Sequence, residues 1–355
     1  MSRLKGIIKK VRLGDLISLG LIALFIVCLI IFSRIAGTLP TLDAADAFRG
    51  GSDMGFAQIG CYLTEADALE EAAIYTFRST LNTQMTEASI VAPEDGSLYR
   101  DAYSAIGDIS VSTDFGSATV KTIGVGGDFF LFHPLYLRSG SYISDDDFMQ
   151  DRVVLDEELA WKLFGSFEVT GMSVNINGVP YQVAGVVKRE KDFATTAAYV
   201  DGAGMFMCYD AFYSVTQEKI TSYEIVLPNL VSGFGLKIVQ DNFPIGTGDI
   251  VENSSRYSIG SLIKVVGNFG KRSMRENGVI YPYWENAVRL TEDYLALLMV
   301  IMGLLLIYPV VRYIVIIVKF IVRNVKKAEK KIPEALEKHI EEHRERDYEK
   351  EKVER

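Results

Sequence analysis

The stretch YLALLMVIMGLLLIYPVVRYIVIIV, residues 294–318, decides how this chain is organised. Its first eighteen residues, 294–311, carry no charge. At about 1.5 Å of rise per helical residue they would extend about 27 Å, close to the thickness of bilayer hydrocarbon. One other stretch, residues 16–32, is comparably apolar. The sequence therefore predicts two transmembrane helices, over 14–35 and 293–318, with one long polar segment between them.

Charge is distributed unevenly along the chain. Residues 36–293 hold 18 lysines and arginines and 35 aspartates and glutamates, a net charge of −17. Basic residues cluster before the first apolar stretch and again after the second. Because basic flanks remain on the cytoplasmic side, we predict a two-pass protein of the cell membrane with both termini cytoplasmic and a large extracytoplasmic domain. An acidic domain argues against nucleic acid as a partner. Membrane lipid is a partner because two transmembrane helices are predicted.

The N-terminus allows two interpretations. Residues 1–13 alternate apolar and basic positions at helical spacing, which predicts an interfacial amphipathic helix leading into the first span. A cleaved signal peptide over residues 1–47 is the alternative, because LDAADAF (residues 42–48) offers small residues for cleavage. We favour the uncleaved anchor, since the apolar run is long for a signal peptide.

The polar segment reads as a linker over 36–53 followed by an outer domain over 54–292. The domain is predicted to open with a strand at 54–63 and a helix capped by Thr64, and to close with strand and helix again. Between them lies a β-rich insertion, roughly 126–220, with a hairpin turn at Asn177-Gly178. The pattern predicts an α+β domain whose middle is inserted between two matching halves.

The search for chemistry gives no catalytic, cofactor or metal site. GNFGKRS (residues 267–273) lacks the spacing of a phosphate-binding loop, so any dependence on ATP must come from another chain. His339 and His343 lie in the charged tail, and His133 has no serine or cysteine motif beside it. We therefore predict that the protein is not an enzyme. Whether Cys61 and Cys208 form a disulfide is left open.

Two groups of residues are candidate interaction sites. Tyr281, Tyr283 and Trp284 precede the second span and predict an aromatic belt at the outer membrane interface. Arg312, Lys319 and Arg323 follow the uncharged run at helical spacing. A basic stem and a charged cytoplasmic tail together are predicted over 319–355. For this second group, a simple topology anchor and a docking face for a partner are the two interpretations.

The domain contains six short motifs, and the order in which they follow one another along the chain is informative. They are VGGDFF (residues 125–130), RSGSYIS (138–144), RVVLDEELA (152–160), LFG (163–165), VNING (174–178) and YQVAGVV (181–187). In this order they resemble the extracytoplasmic core domain of the MacB/FtsX-like ABC transporter permeases. The resemblance implies a split βαβ porter-like half with an inserted β-rich half, placed between two transmembrane α-helices.

The resemblance also implies a function. Such permeases have four spans, whereas this sequence has two, so we expect a truncated form: an accessory subunit or half-permease. Its outer domain would bind a partner or substrate, and an ABC ATPase or a full-length permease subunit would be its partner. A homodimer is left open. The alternative is a stand-alone membrane-anchored receptor or scaffold with the same outer-domain fold. An extracellular hydrolase is a third interpretation, with only generic polar residues behind it.

Overall fold

The architecture is taken from a computed structural model of the chain. It describes residues 13–50, 54–90, 97–144, 147, 149–199, 203–275, 278–279 and 281–353, without the side chains of 203, 328–338 and 341–353. The predicted interfacial helix over 1–13 falls almost entirely outside these residues. The chain forms two compact units, Met1–Phe32 with Leu298–Arg355, and Ser33–Leu297. The second unit is the outer domain.

Helices and strands alternate irregularly along the described residues. The helices are α1 (Leu13–Ala36), α2 (Ala44–Arg49), α3 (Glu71–Glu87), α4 (Phe129–Phe132), α5 (Glu157–Phe164), α6 (Phe193–Ala198), α7 (Tyr209–Thr216), α8 (Phe234–Asn242), α9 (Ile259–Val266) and α10 (Tyr283–Val353). The strands are β1 (Phe56–Tyr62), β2 (Arg100–Ser112), β3 (Ser117–Gly127), β4 (Tyr136–Gly140), β5 (Arg152–Asp156), β6 (Ser173–Ile176), β7 (Val179–Lys188), β8 (Ala203–Cys208), β9 (Ser222–Pro228) and β10 (Asp249–Glu252).

Within the described residues, the ten strands form one mixed sheet. Its main path runs β10-β1-β9-β2-β3-β8-β5-β7-β4, and β6 pairs with β2 and β7. Most neighbours are antiparallel, but β3 with β8 and β5 with β7 are parallel. Strands β4, β5, β7 and β8, from the β-rich middle of the chain, occupy one end of the path. The predicted α+β class is confirmed.

Local sequence explains several boundaries. The Asp156 carboxylate accepts the amide of Leu159 and so caps the start of α5. Asn177 and Gly178 both have positive φ, at 50° and 83°, as a tight hairpin between β6 and β7 requires. The prediction that Thr64 caps the first long helix is wrong. Thr64 precedes a short 3-10 turn, Glu65–Asp67, and α3 begins only at Glu71.

The sheet has a hydrophobic core on each face, because side chains alternate along each strand. In β9, Tyr223, Ile225 and Leu227 join the core covered by α3, whereas Val226 joins the other. The second core also contains Leu39 and Trp284. The chain that follows α1 and the chain that begins α10 therefore pack on the same face of the sheet. Cys61 and Cys208 are buried and do not form a disulfide, which answers the open question.

Two helices in the described part of the chain are long and apolar enough to cross a membrane. They are α1 and the Tyr283–Lys327 part of α10, whose apolar 18-residue windows have mean hydropathies of 3.0 and 2.5. The helix α10 is continuous through Pro309.

Candidate functional site at the start of the long C-terminal helix

The first three turns of α10 are polar and yet buried in the outer domain. The buried polar residues of this part of the helix are Glu285, Arg289, Thr291, Glu292 and Asp293. Glu285, Arg289 and Glu292 are spaced by four and three residues, which places them on one face of the helix. Immediately after Asp293 the uncharged stretch begins, so this face lies at the junction between the domain and the candidate span.

Arg256 is the centre of the polar cluster that this face meets. It follows the 3-10 turn Asn253–Ser255 and is 4% exposed. Its two terminal nitrogens hold both oxygens of Glu285 at 2.6 and 2.7 Å, and its Nε donates to Glu292 at 3.0 Å. Asn253 accepts a further bond at 3.0 Å. One guanidinium thus bridges two positions of α10 that lie about two turns apart, through a fork geometry that only arginine provides.

Two more arginines extend the cluster to neighbouring segments. Arg289 donates to Glu285 at 2.6 Å and to Asp249 of β10 at 2.7 Å. Arg272, in the loop after α9, pairs with Glu292 at 2.9 Å. We call Asp249, Arg256, Arg272, Glu285, Arg289 and Glu292 the junction network. It joins a sheet edge, two loops and α10.

The junction network keeps its charges by mutual pairing. Burial alone would raise the pKa of Glu285, but the charges and hydrogen bonds of Arg256 and Arg289 outweigh burial and lower it. Burial opposes the charge on Arg256 too, and the two glutamates more than compensate, so its pKa is raised. A buried charge of this kind is tolerated only with its partners, and loss of one partner leaves the others uncompensated.

A second polar contact joins the chain after α1 to the same face of the sheet. His133 Nε2 lies 2.5 Å from Glu224 Oε2, and its Nδ1 lies 3.0 Å from the hydroxyl of Thr41. The imidazole also packs against the rings of Phe129 and Trp284, at 4.6 and 4.3 Å. A hydroxyl, an imidazole and a carboxylate in this order also form the triad of acyl-transfer enzymes, in which the imidazole accepts the hydroxyl proton and the carboxylate orients the imidazole. All three side chains are buried, however. We interpret the arrangement as a structural contact that holds the chain after α1 against the sheet.

The three aromatic residues predicted to form an exposed belt lie inside the domain instead. Tyr281, Tyr283 and Trp284 are between 4% and 9% exposed. Tyr283 stacks on Tyr199 at 4.4 Å, and the Tyr281 hydroxyl donates to Asp249 at 3.0 Å. The prediction that these residues form an aromatic belt at the membrane interface is therefore corrected: they are part of the core of the outer domain. Apolar aromatic rings before a span fit a lipid interface and a protein core equally well, and in this domain the sheet face was available to bury them.

The basic residues predicted on the stem belong to the other compact unit. Arg312 lies 2.5 Å from Asp15, at the start of α1, so it forms an ion pair between the two apolar helices. Lys319 and Arg323 are exposed on α10. Their role as a docking face stays a prediction.

Sequence reasoning missed the junction network, although a signal was present. Three charged residues at 285, 289 and 292 share one helix face just before an apolar span, at a spacing that lets their charges pair. Arg256 could not have been found in this way, because its partners are 29 and 36 residues away in the chain. Among the described residues, no group of three or more His, Cys, Asp or Glu side chains could hold a metal ion.

Comparison with known proteins identifies the domain. The family of MacB-like periplasmic core domains matches residues 17–231, more than half of the chain. The chain belongs to this family. The macrolide export ATP-binding/permease protein MacB of Chromobacterium violaceum is 36% identical over 106 residues, which are 29% of this chain and 15% of that protein. The chain thus matches only a small part of that relative's length.

Similar domains also occur among solved structures. The extracellular domain of the noncanonic ABC-type transporter YknZ from Gram-positive bacteria has a TM-score of 0.38 and 14% identity, over 56% of this chain and all of that one. The periplasmic region of MacB from Actinobacillus actinomycetemcomitans has a TM-score of 0.41 and 17% identity, over 60% of this chain and 92% of that one.

The family match settles the general class of the protein. Its outer domain is a MacB-like periplasmic core domain of the ABC permease type. With two helices long and apolar enough to cross a membrane, the chain is a membrane protein with an extracytoplasmic domain. The resemblance deduced from the ordered motifs is confirmed.

Proposed function

We propose that this protein is a permease-like component of an ABC system whose outer domain binds a partner or substrate. The energy would come from an ABC ATPase on another subunit. The name of the Chromobacterium relative, an ATP-binding/permease protein, supports an ATPase as partner. We extend the proposal to an accessory or half-permease role.

One observation carries this proposal beyond family membership. The helix α10 is continuous from the outer domain into the candidate span, and its first three turns are fixed in the domain by the junction network. Within the outer domain, the paired charges hold these three turns in a defined position. We propose that α10 transmits movement between the two sides of the membrane.

We propose a topology in which both termini are cytoplasmic, on the basis of the basic flanks. Cysteine substitutions at exposed positions test it in intact cells. Val231→Cys, in the outer domain, should react with a membrane-impermeant maleimide. Lys327→Cys, on the stem, should react only after the membrane is permeabilised. The reverse pattern would invert the topology.

Co-purification tests the partner. The tagged full chain is extracted in mild detergent from its native cells, and the recovered proteins are identified by mass spectrometry. We expect an ABC ATPase, alone or with a four-span permease, in near-stoichiometric amounts. If neither is recovered and the purified chain still binds a ligand, the receptor or scaffold alternative is correct.

The same co-purification experiment tests whether Lys319 and Arg323 on α10 form a docking face for the ATPase. If Lys319 and Arg323 form a docking face, the double variant Lys319→Gln, Arg323→Gln should lose the ATPase while membrane insertion is unchanged. The double variant Lys162→Gln, Lys237→Gln, at two exposed residues of the outer domain, serves as the control for charge. Unchanged recovery in both variants would leave the two stem residues as topology anchors.

A further inference from the structure

The short helix α9 has apolar side chains on two faces. Leu262 and Val265 are buried in the outer domain. Ile259, Ile263 and Val266, on an adjoining face, are exposed, with Ile259 at 71% and Ile263 at 60%. Phe269, one turn beyond the helix, is exposed at 48%. These four large apolar side chains form an exposed apolar patch within one short segment. An exposed patch of this kind indicates a contact with another molecule or with a membrane.

The position of α9 is defined by contacts within the outer domain. The amide of Gly270 donates to the Asp293 carboxylate at 3.1 Å. Arg272 pairs with Glu292 at 2.9 Å, and the amide of Met274 donates to Asn286 at 2.9 Å. Three contacts thus place the segment after α9 alongside the first turns of α10. Asp293 is about 1.5 Å along the helix axis from Tyr294, where the uncharged stretch begins.

The charge of this segment is opposite to that of the domain. Residues 253–275 contain five basic residues and no acidic one, within the segment 36–293 whose net charge is −17. Arg256 and Arg272 belong to the junction network, whereas Lys264, Lys271 and Arg275 are exposed. An exposed apolar face flanked by lysine and arginine is typical of a helix that lies in a membrane surface.

A second element of the outer domain, α6, also reaches the start of the uncharged stretch of α10. Phe193, the first residue of α6, is 66% exposed, and its ring lies 5.2 Å from the ring of Tyr294 in an edge-to-face arrangement. Tyr294 is the first residue of the uncharged stretch. An exposed phenylalanine from a different part of the domain therefore reaches the point where α10 leaves it.

We propose that the exposed face of α9, with Phe269, inserts into the headgroup region of the leaflet that α10 enters, and that its basic residues favour anionic phospholipid. The outer domain would then rest on the membrane surface as well as being attached through its two helices. The occupant is lipid because the patch is continuous with the start of the span and carries positive charge in an acidic domain.

Fluorescence in vesicles tests this inference. The full chain with Ile263→Cys is labelled with an environment-sensitive dye and reconstituted into vesicles that contain a nitroxide-labelled phospholipid. Val231→Cys is the matched control, because Val231 is also an exposed aliphatic residue of the outer domain. Background labelling should be low, because the three native cysteines are buried. We expect quenching at Ile263 roughly two-fold or more above that at Val231.

The charge selectivity is tested with the same label. Quenching at Ile263 should be stronger in vesicles with anionic lipid than in purely zwitterionic ones, and Lys264→Gln with Lys271→Gln should remove the difference. Equal, weak quenching at Ile263 and Val231 would overturn the proposal. So would shielding of Ile263 that depends on protein concentration rather than on lipid, because a second copy would then cover the patch. Equal quenching in both lipids would overturn the preference for anionic phospholipid.

Discussion

At the scale of single residues, Arg256 has the largest structural role at the junction. Within the described part of the chain, it is the residue that contacts both Glu285 and Glu292, and both contacts are buried. The net contribution of a buried ion pair to stability is small, because desolvation offsets attraction. What the pairing provides is a defined position for α10, since the helix cannot rotate or slide without separating charges in a low-dielectric environment.

Replacing Arg256 by methionine should nevertheless cause a large loss of stability, because only one partner of the network is removed. Arg256→Met keeps much of the side-chain volume and leaves two buried carboxylates without their partner, which should cost about 3–5 kcal/mol of stability. Thermal unfolding of the purified full chain measures the loss. The control is Arg100→Met, whose ion pair with Asp128 is solvent-exposed and should be worth at most about 1 kcal/mol. Equal effects of the two substitutions would show that the junction network is not coupled to folding.

The junction network also predicts a pH dependence. The folded-state pKa of Glu285 lies below its ordinary value of 4.5, so its contribution to stability is fully present above that value. It should be lost as the pH falls through the lowered folded-state pKa. Thermal midpoints measured from pH 7 into the acid range should decline below about pH 4.5 in the wild-type chain.

The variant Glu285→Gln isolates this contribution. It should be less stable than the wild type at neutral pH, because Arg256 and Arg289 lose a charged partner. Its midpoint should decline less on acidification, since one of the linked groups has been removed. A parallel decline in both proteins would assign the acid sensitivity to other carboxylates.

At the scale of elements, turns and strands were predictable where one local signal dominates. The cap of α5 at Asp156 and the hairpin at Asn177-Gly178 follow from neighbouring residues alone. The start of α3 was not predictable, because Thr64 bonds to Asp67, whose carboxylate also accepts bonds from Thr247, 180 residues away. The burial of Trp284 depended likewise on Phe129 and His133, which are distant in sequence.

Two glycines in strands and turns provide a test at this scale. Gly127 ends β3 with φ at +64°, and a Cβ there would lie 2.3 Å from the carbonyl oxygen of Asp101. Gly178 also has positive φ, at +83°, but a Cβ there would meet no described atom within 4 Å. Gly178→Ala should therefore cost only the backbone strain, about 1–2 kcal/mol.

Gly127→Ala should cost clearly more, because a backbone oxygen cannot move aside without disturbing the pairing of β2 with β3. Thermal midpoints of the two alanine variants provide the comparison, with both referred to the wild type. If the two variants unfold at the same temperature, crowding at Gly127 is relieved by a small backbone shift and the explanation is wrong.

At the scale of the whole molecule, the sequence was sufficient for the fold class, the two apolar helices and the family. These follow from composition and from ordered local motifs. The position of the junction was not predictable, since it depends on Arg256, Arg272 and Asp249 meeting α10 from three separate segments. The same face of the sheet receives the chain after α1 and the start of α10, so both connections to the membrane are anchored in one core.

The central claim is that α10 carries movement between the outer domain and an ATPase partner. The test uses the reconstituted complex with a donor dye at Val231→Cys and acceptor-labelled lipid headgroups. We predict that ATP changes the energy transfer in the wild-type background. At a temperature below its lowered unfolding midpoint, Arg256→Met should abolish the change while assembly and ATP hydrolysis persist. The same change in both proteins, or none in the wild type, would contradict the account.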